Sequence, residues 1–525
     1  MSNDEKAQAE STRKDLLLAA TVFVVAGAAV WWLWANRFFL SLDEGIYLAG
    51  AERILHGQVP YRDFFVLTGP GTFWIQAGIL GLLGSTLRHA RLSLVFDLAI
   101  LTALVFWLTA RLTGRIFALV AAATFFALET RPLFRMYVNH RWDSSAFGLL
   151  AVALAFAGTE NPRALTFLAA GVAAAVAAWI TPSLLVLLVL LGVWLIMVRE
   201  LRRQSLPYLV GITSFSLLAG GLLLFQGALL PMFRDLLWTS AHYPAANAVP
   251  YGYGALAAGG LRTILAGANA SALIARATGF LSVLLPVVLP LAVYAGWLAR
   301  RLRRKQMDQP EKLATLLMLA SFGFVISTYP RWSADQLLFI VPIFYVLAGY
   351  LLSRILTRRF LRIASAGLVL ALAIASLSYS VLHIFSEPVI ETRVGPLRAG
   401  TSDQAIIKLA SSRVRPGDSL FVYPYLPMVY FLTGGQNPTP YSFLQPGMMR
   451  TPDYDATLSA LRAHPPQWVF YFGFSLATYH SIWPAADPRA LGLTPVDHFI
   501  LSNYHPVGFL TGNGTHFFLL EQGAQ

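Results

Sequence analysis

Residues 41–84 read SLDEGIYLAGAERILHGQVPYRDFFVLTGPGTFWIQAGILGLLG. They lie between an apolar run at 16–36 and a second at 92–110. The topology turns on the final part, TFWIQAGILGLLG at 72–84. It is apolar, yet its roughly 13 residues fall short of the ~20 that a bilayer core requires. Counted as a span, it would invert every later loop and carry RRLRRK (300–305) to the outer face. We therefore read it as an interfacial or re-entrant helix inside a large first external loop, 37–91.

With that assignment the remaining runs fall into register. Spans are expected near 16–36, 92–110, 116–131, 144–158, 164–181, 182–198, 207–225, 279–299, 313–329, 337–353 and 363–385, about eleven in all. The short loops on one side hold Arg111, Arg115, Arg163, Arg199, Arg202, Arg203, the 300–312 cluster, and Arg354, Arg358, Arg359 and Arg362. With the polar segment 1–15 they carry nearly half of the 39 basic residues. The positive-inside rule puts that face in the cytoplasm. The other face receives the long loops 37–91, 129–143 and 226–278 and everything after about 386.

Composition agrees. Charged residues make up 12% of the 525-residue chain and apolar residues 56%, with mean hydropathy +0.60. Soluble domains carry about 25% charged residues, so a cytosolic enzyme, a disordered chain and a secreted disulfide scaffold are excluded. The chain has no cysteine, which removes thiolate chemistry. A net charge of +13 would point to nucleic acid in a soluble protein. Here the positive charge sits in membrane-flanking loops, so the partner is the lipid bilayer and no nucleic acid is expected. Run 16–36 is too long for a signal-peptide core and lacks a cleavage site, so it reads as an uncleaved first span.

The fold class is therefore mainly α: a polytopic transmembrane bundle over 16–385, with a small external α/β domain at 386–525. In that domain SLFVYPY (419–425) and QWVFYFG (467–473) read as buried strands, and 403–414 and 455–464 have helical spacing. No internal repeat of fixed period is visible, which weakens an inverted-repeat transporter.

Ionisable groups are costly at membrane depth, so chemistry is sought where spans meet the external face. Three clusters stand out. Asp43 and Glu44 follow the first span; they can take a proton or hold Mg²⁺ or Mn²⁺, or simply cap the helix at 46–55. Glu129, Arg131, Arg135, Asn139, His140, Arg141 and Asp143 lie after the third span. Guanidiniums there bind phosphate with directed hydrogen bonds, or form ion pairs with Glu129 and Asp143, or contact anionic headgroups. Arg331 and Asp335 share a short turn and either pair with each other or face a phosphate. Asp97, inside the second span, is within reach of Arg91 or Arg88.

The 41–84 stretch resembles the first external loop of GT-C-fold glycosyltransferases. The likeness is to the bacterial aminoarabinose and lipopolysaccharide-core transferases, with protein O-mannosyltransferases more distant. The shared pattern is an acidic pair after span one, an A-x-R-x-L-x-G helix, P-Y-R-D, a Pro/Gly turn and an amphipathic helix. The segment FVYPYLPMVYFLTGGQNPTPY (421–441) also fits the external domain of many bacterial members.

That resemblance implies sugar transfer outside the cytoplasm from a polyprenyl-phosphate donor to a glycan, lipid or protein acceptor, with inversion. It places the chain in a bacterial inner membrane. Asp43 would act on the acceptor with Glu44 beside it, and the second acid would be Asp143 or Glu129. The family's Lys-Pro-Pro, associated with the donor phosphate, is Thr68-Gly69-Pro70 here. Arg62, Arg135, His140, Arg141 and Arg331 are the candidates to replace it. Any divalent metal would sit on Asp43 and Glu44. The competing readings are a transporter or flippase of an anionic or sugar-linked lipid, and a non-catalytic assembly protein that binds through its external domain.

Overall fold

The chain begins with a 32-residue helix, α1 (Asn3–Trp34), that runs along α5 (Leu92–Thr113). The computed structural model describes residues 3–131, 136–255, 270–303, 309–356, 358–512 and 515–523. Between α1 and α5 lie α2 (Glu44–Leu55), α3 (Gly71–Leu83) and the single turn α4 (Leu87–Ala90). There follow α6 (Arg115–Glu129), α7 (His140–Glu160), α8 (Ala164–Ile180), α9 (Leu185–Met197), α10 (Ser205–Phe225) and α11 (Leu229–Asn247). Long helices then cover Ala270–Arg303, Gln309–Ser327, Val341–Ile355 and Arg359–Ser386.

A helix thus stands at each of the eleven expected spans. Among the described residues, seven helices are long and apolar enough to cross a membrane. Others are shorter: α6 has 15 residues, about 22 Å at 1.5 Å per residue. The helices differ in which neighbours bury them. α5, α7 and the segment Ala334–Ile355 are enclosed over most of their length. α1, α10 and Arg359–Ser386 present apolar side chains outward, Phe225 being 91% exposed. Apolar residues so exposed along a helix of this length fit a lipid-facing surface rather than water.

α3 covers the stretch on which the topology turned. Its 13 residues form a helix of about 20 Å, with Leu82 and Leu83 exposed at its end. α11 was expected only as part of a long loop. Arg234 and Asp235 break its apolar pattern, so it does not read as a span.

After Ser386 a two-residue ladder pairs Val389–Ile390 with Leu397–Arg398. A four-stranded sheet follows, in the order Leu420–Tyr423, Trp468–Phe474, Thr515–Gln522, Tyr504–Gly512. The first pair is parallel and the others antiparallel. The two expected strands and both expected helices, here Thr401–Ser411 and Thr451–Ala463, are present. The terminal hairpin was not expected.

The sheet region shares a core with the first loop. Phe38, Tyr47 and Phe73 pack in one cluster with Tyr425, Met428 and Trp483. At Gly45 in α2, an added Cβ would lie 1.9 Å from the Met428 backbone nitrogen. Only a residue without a side chain permits that approach. Arg37 and Glu387, paired at 2.7 Å, tie the end of α1 to the start of the same region.

Candidate active site

The junction of helices, first loop and sheet region encloses a cavity of about 630 Å³. Asp43, His140, Arg141, Arg331 and Asp335 line it.

Asp43 stands just before α2. Its side chain does not cap the helix; Ser41 Oγ accepts from the backbone nitrogens of Asp43 (3.3 Å) and Glu44 (3.2 Å) instead. The carboxylate therefore keeps its oxygens for the cavity, where two phenols donate to it. Tyr425 Oη reaches Oδ1 at 3.1 Å and Tyr137 Oη reaches Oδ2 at 3.4 Å. Burial raises the Asp43 carboxyl above its ordinary pKa; the Tyr425 hydrogen bond and the Arg331 charge oppose this, and Asp335 adds to the rise. Burial, with the Asp43 charge beside them, pushes the phenols of Tyr47, Tyr137 and Tyr425 well above their ordinary value. They remain donors.

The cations come from elsewhere in the chain. Asn139 Oδ1 caps α7 by accepting from the Arg141 backbone at 2.9 Å, which fixes the helix start. Arg141 Nη1 donates to the Ser327 carbonyl at 3.2 Å. Arg331 sits on a turn pinned to the 249–253 segment through Val249–Pro330 and Gly252–Trp332 backbone bonds. Its Nη2 donates to the Ile482 carbonyl at 2.9 Å. His140 Nδ1 meets Thr181 Oγ1 at 2.7 Å. The Gly69 nitrogen donates to the Ile180 carbonyl at 3.1 Å, which holds Thr68 beside Thr181 on the cavity wall. Thr68-Gly69-Pro70 puts no cation there, and the guanidiniums of Arg141 and Arg331 supply the positive charge.

Other candidates lie elsewhere. Glu44 does not share the cavity with Asp43. It is 0% exposed and paired through both oxygens with Arg91, also 0% exposed, at 2.9 and 3.0 Å. It also accepts from the Val138 nitrogen at 3.0 Å. A divalent ion held jointly by Asp43 and Glu44 does not fit this arrangement. Among the described residues no three His, Asp or Glu side chains converge on a metal position. Since Arg91 is engaged with Glu44, Asp97 does not pair with it and faces Asp143 of α7 instead. Asp143 also accepts from Thr72 at 2.5 Å. The two acids are 3% and 1% exposed and are absent from the cavity wall. Glu129 is buried and accepts from Tyr345 Oη at 2.7 Å. Arg131 contacts the Thr278 hydroxyl and lies 4.9 Å above the Tyr379 ring, away from the cavity. Arg135 lies outside the described residues.

Arg62 is exposed and binds Asp63 through two hydrogen bonds, at 2.9 and 2.8 Å. Arg62→Ala is expected to leave donor KM and kcat within about twofold, because an exposed ion pair contributes little and this one is off the cavity wall. Steady-state kinetics of the purified variant check this.

Sequence reasoning missed two walls. α11 supplies Thr239, Tyr243 and Asn247, and the sheet region supplies Tyr425, Gln445 and Trp483. The only available signal was the density of tyrosine in 421–441, which does not say which ring turns inward.

No protein-family model matches the chain, and no curated protein matches it in sequence. Solved structures do. The crystal structure of ArnT from Cupriavidus metallidurans bound to undecaprenyl phosphate matches over 96% of this chain and 99% of its own, with TM-score 0.56 and 13% identity. Its apo form matches over the same shares, with TM-score 0.54 and 12% identity. The apo oligosaccharyltransferase of Archaeoglobus fulgidus covers 95% of this chain and 74% of its own, with TM-score 0.50 and 11% identity. These are GT-C-fold glycosyltransferases, and the present chain is an integral membrane protein of that fold. Identities this low establish architecture; activity is argued from the site.

Proposed function

We propose that the protein transfers a sugar from a polyprenyl-phosphate donor to an acceptor at the extracytoplasmic membrane face, with inversion and with Asp43 as base. One observation carries the reading: a carboxylate with free acceptor capacity and two guanidiniums line a single cavity.

The chemistry follows from those groups. An acceptor hydroxyl attacks the anomeric carbon and gives its proton to Asp43. The bond from the anomeric carbon to the phosphate oxygen breaks as the new glycosidic bond forms. The phosphate departs with the electron pair, and Arg141 and Arg331 receive the growing negative charge. Negative charge on Asp43 favours the oxocarbenium-like transition state. Binding of undecaprenyl phosphate by the ArnT structure supports a polyprenyl-phosphate donor here. The extracytoplasmic assignment rests on the positive-inside rule and on short basic loops such as 111–115 and 199–203, whose arginines do not line the cavity. The acidic pair within the helices, Asp97 and Asp143, is enclosed and off the cavity wall, which favours transfer over transport.

The test is purified protein in lipid nanodiscs with labelled polyprenyl-phosphate sugar and envelope glycolipid acceptors. Label passing into acceptor supports the reading; in proteoliposomes, movement of intact donor between leaflets without transfer would replace it with the flippase. Arg141→Ala and Arg331→Ala are each expected to raise donor KM about 10- to 100-fold, as loss of a charge-assisted hydrogen bond costs about 1.5–3 kcal/mol. Unchanged donor KM in both variants would reject the phosphate role.

A further inference from the structure

We infer that Tyr425 is a positioning residue for the Asp43 carboxylate, so that the carboxyl-terminal sheet region is a working part of the catalytic site. The inference rests on Asp43 being the base.

The carboxylate is gripped from two sides. Tyr137 donates to Oδ2, and its own oxygen accepts from Asn139 Nδ2 at 3.3 Å. Its single hydroxyl proton is thus committed to Asp43. Tyr425 donates to Oδ1 at the shorter distance, 3.1 Å. An ionised carboxylate has about four acceptor positions, so acceptor capacity remains for an incoming hydroxyl.

Tyr425 has little freedom to leave this pose. Its ring is 5% exposed and stands edge-on to Phe443 at 4.8 Å and Trp483 at 5.8 Å. Three residues further on, the Met428 backbone abuts Gly45, two residues beyond Asp43. The two segments are therefore locked at two points, one steric and one polar. Displacing the sheet region would move the Tyr425 hydroxyl away from the carboxylate without touching α2.

The charged and titratable groups facing Asp43 are Arg331, Asp335, Tyr425, Tyr137, Tyr47 and Tyr243. Hydrogen bonding to the ionised form lowers a carboxyl pKa, so loss of the Tyr425 hydroxyl raises that of Asp43. Base catalysis requires the ionised form. The acid limb of kcat/KM must then move to higher pH.

Tyr425→Phe keeps the ring and its packing, and wild-type heat stability would confirm folding. We expect kcat to fall about 10-fold with donor KM within twofold, and the acid limb of kcat/KM to move up by about one pH unit. Tyr137→Phe, losing the longer bond, should move it less. Site-specific 3,5-difluorotyrosine at 425 retains the shape and is a stronger donor; its limb should move to lower pH. A purely structural Tyr425 moves neither limb. Unmoved limbs and unchanged kcat in both variants, with Asp43→Asn inactive, would overturn the inference and leave the base intact. Wild-type turnover in Asp43→Asn would overturn the underlying reading first.

Discussion

Asp43→Asn is expected to cut turnover about 10²- to 10⁴-fold, the range that positioned general bases contribute. The asparagine amide occupies nearly the same volume and still offers one oxygen to the Tyr425 hydroxyl. It cannot accept a proton from the attacking hydroxyl. The start of α2 should survive, because Ser41 rather than Asp43 satisfies the first backbone nitrogens. Donor binding should survive too, since the phosphate is assigned to Arg141 and Arg331. The measurement is single-turnover transfer of labelled sugar, with donor affinity determined separately. A loss of chemistry at constant affinity is the expected signature. A variant within threefold of wild type would remove Asp43 from the base role. The wild-type pH profile carries the same sign: burial lifts the Asp43 carboxyl and Asp335 adds to it. Activity should therefore fall on acidification at a pH above that of an ordinary aspartate.

The positions of the bundle helices were legible because they depend on one coarse quantity, the length of apolar runs. Residues 72–84 read as a short helix from their length and from the charge of the later loops, and α3 stands there with 13 residues. The site was legible only as far as its loops. The sequence gives Asp43 and Glu44 as neighbours, but successive helical residues diverge by about 100°. That rotation sends one side chain to the cavity and the other to Arg91. Arg91 and Asp97 lie six residues apart, close in sequence but not on a shared helix face, since partners lie three or four apart. Asp97 instead meets Asp143, 46 residues away on α7. No local pattern encodes such a meeting. Arg62 was misplaced for the opposite reason: its partner is its immediate neighbour, Asp63, and the sequence offered phosphate as an equally good one.

The far walls were hidden by composition. α11 carries Arg234, Asp235 and Pro244 and so reads as loop, although it lays Thr239, Tyr243 and Asn247 against the cavity. In the sheet region, the edge strand Tyr504–Gly512 contains Pro506 and Gly508 with a register shift between them. Both residues weaken a strand signal. Pairing with Thr515–Gln522 makes the strand, and pairing is a tertiary fact. Tyr425 belongs to the same category: it is one tyrosine among several in 421–441, selected by the fold rather than by its spacing.

The largest stability effects should arise at Arg91 and Glu44. Removing one partner of a buried ion pair costs about 3–5 kcal/mol, because the other charge is left unpaired out of water. Arg91 also donates to the carbonyls of Trp34, at 2.8 Å, and Arg37. It thereby joins the end of α1, the start of α2 and the start of α5, while Glu44 adds the Val138 backbone. Arg91→Met should exceed Glu44→Gln in cost, since it strands two carbonyls as well as a carboxylate, at about 1–3 kcal/mol per unsatisfied group. The double variant Arg91→Met with Glu44→Met should recover part of the loss, because it leaves no buried charge, but not the carbonyl contribution. Heat-induced aggregation midpoints of the purified proteins would rank all three. Glu44→Gln also separates two roles for this acid. If Glu44 only holds the loop, the folded fraction of the variant should turn over with wild-type kcat and an unmoved acid limb. A Glu44→Gln protein as heat-stable as wild type but without turnover would instead place Glu44 in the chemistry, against the geometry that turns it away from the cavity.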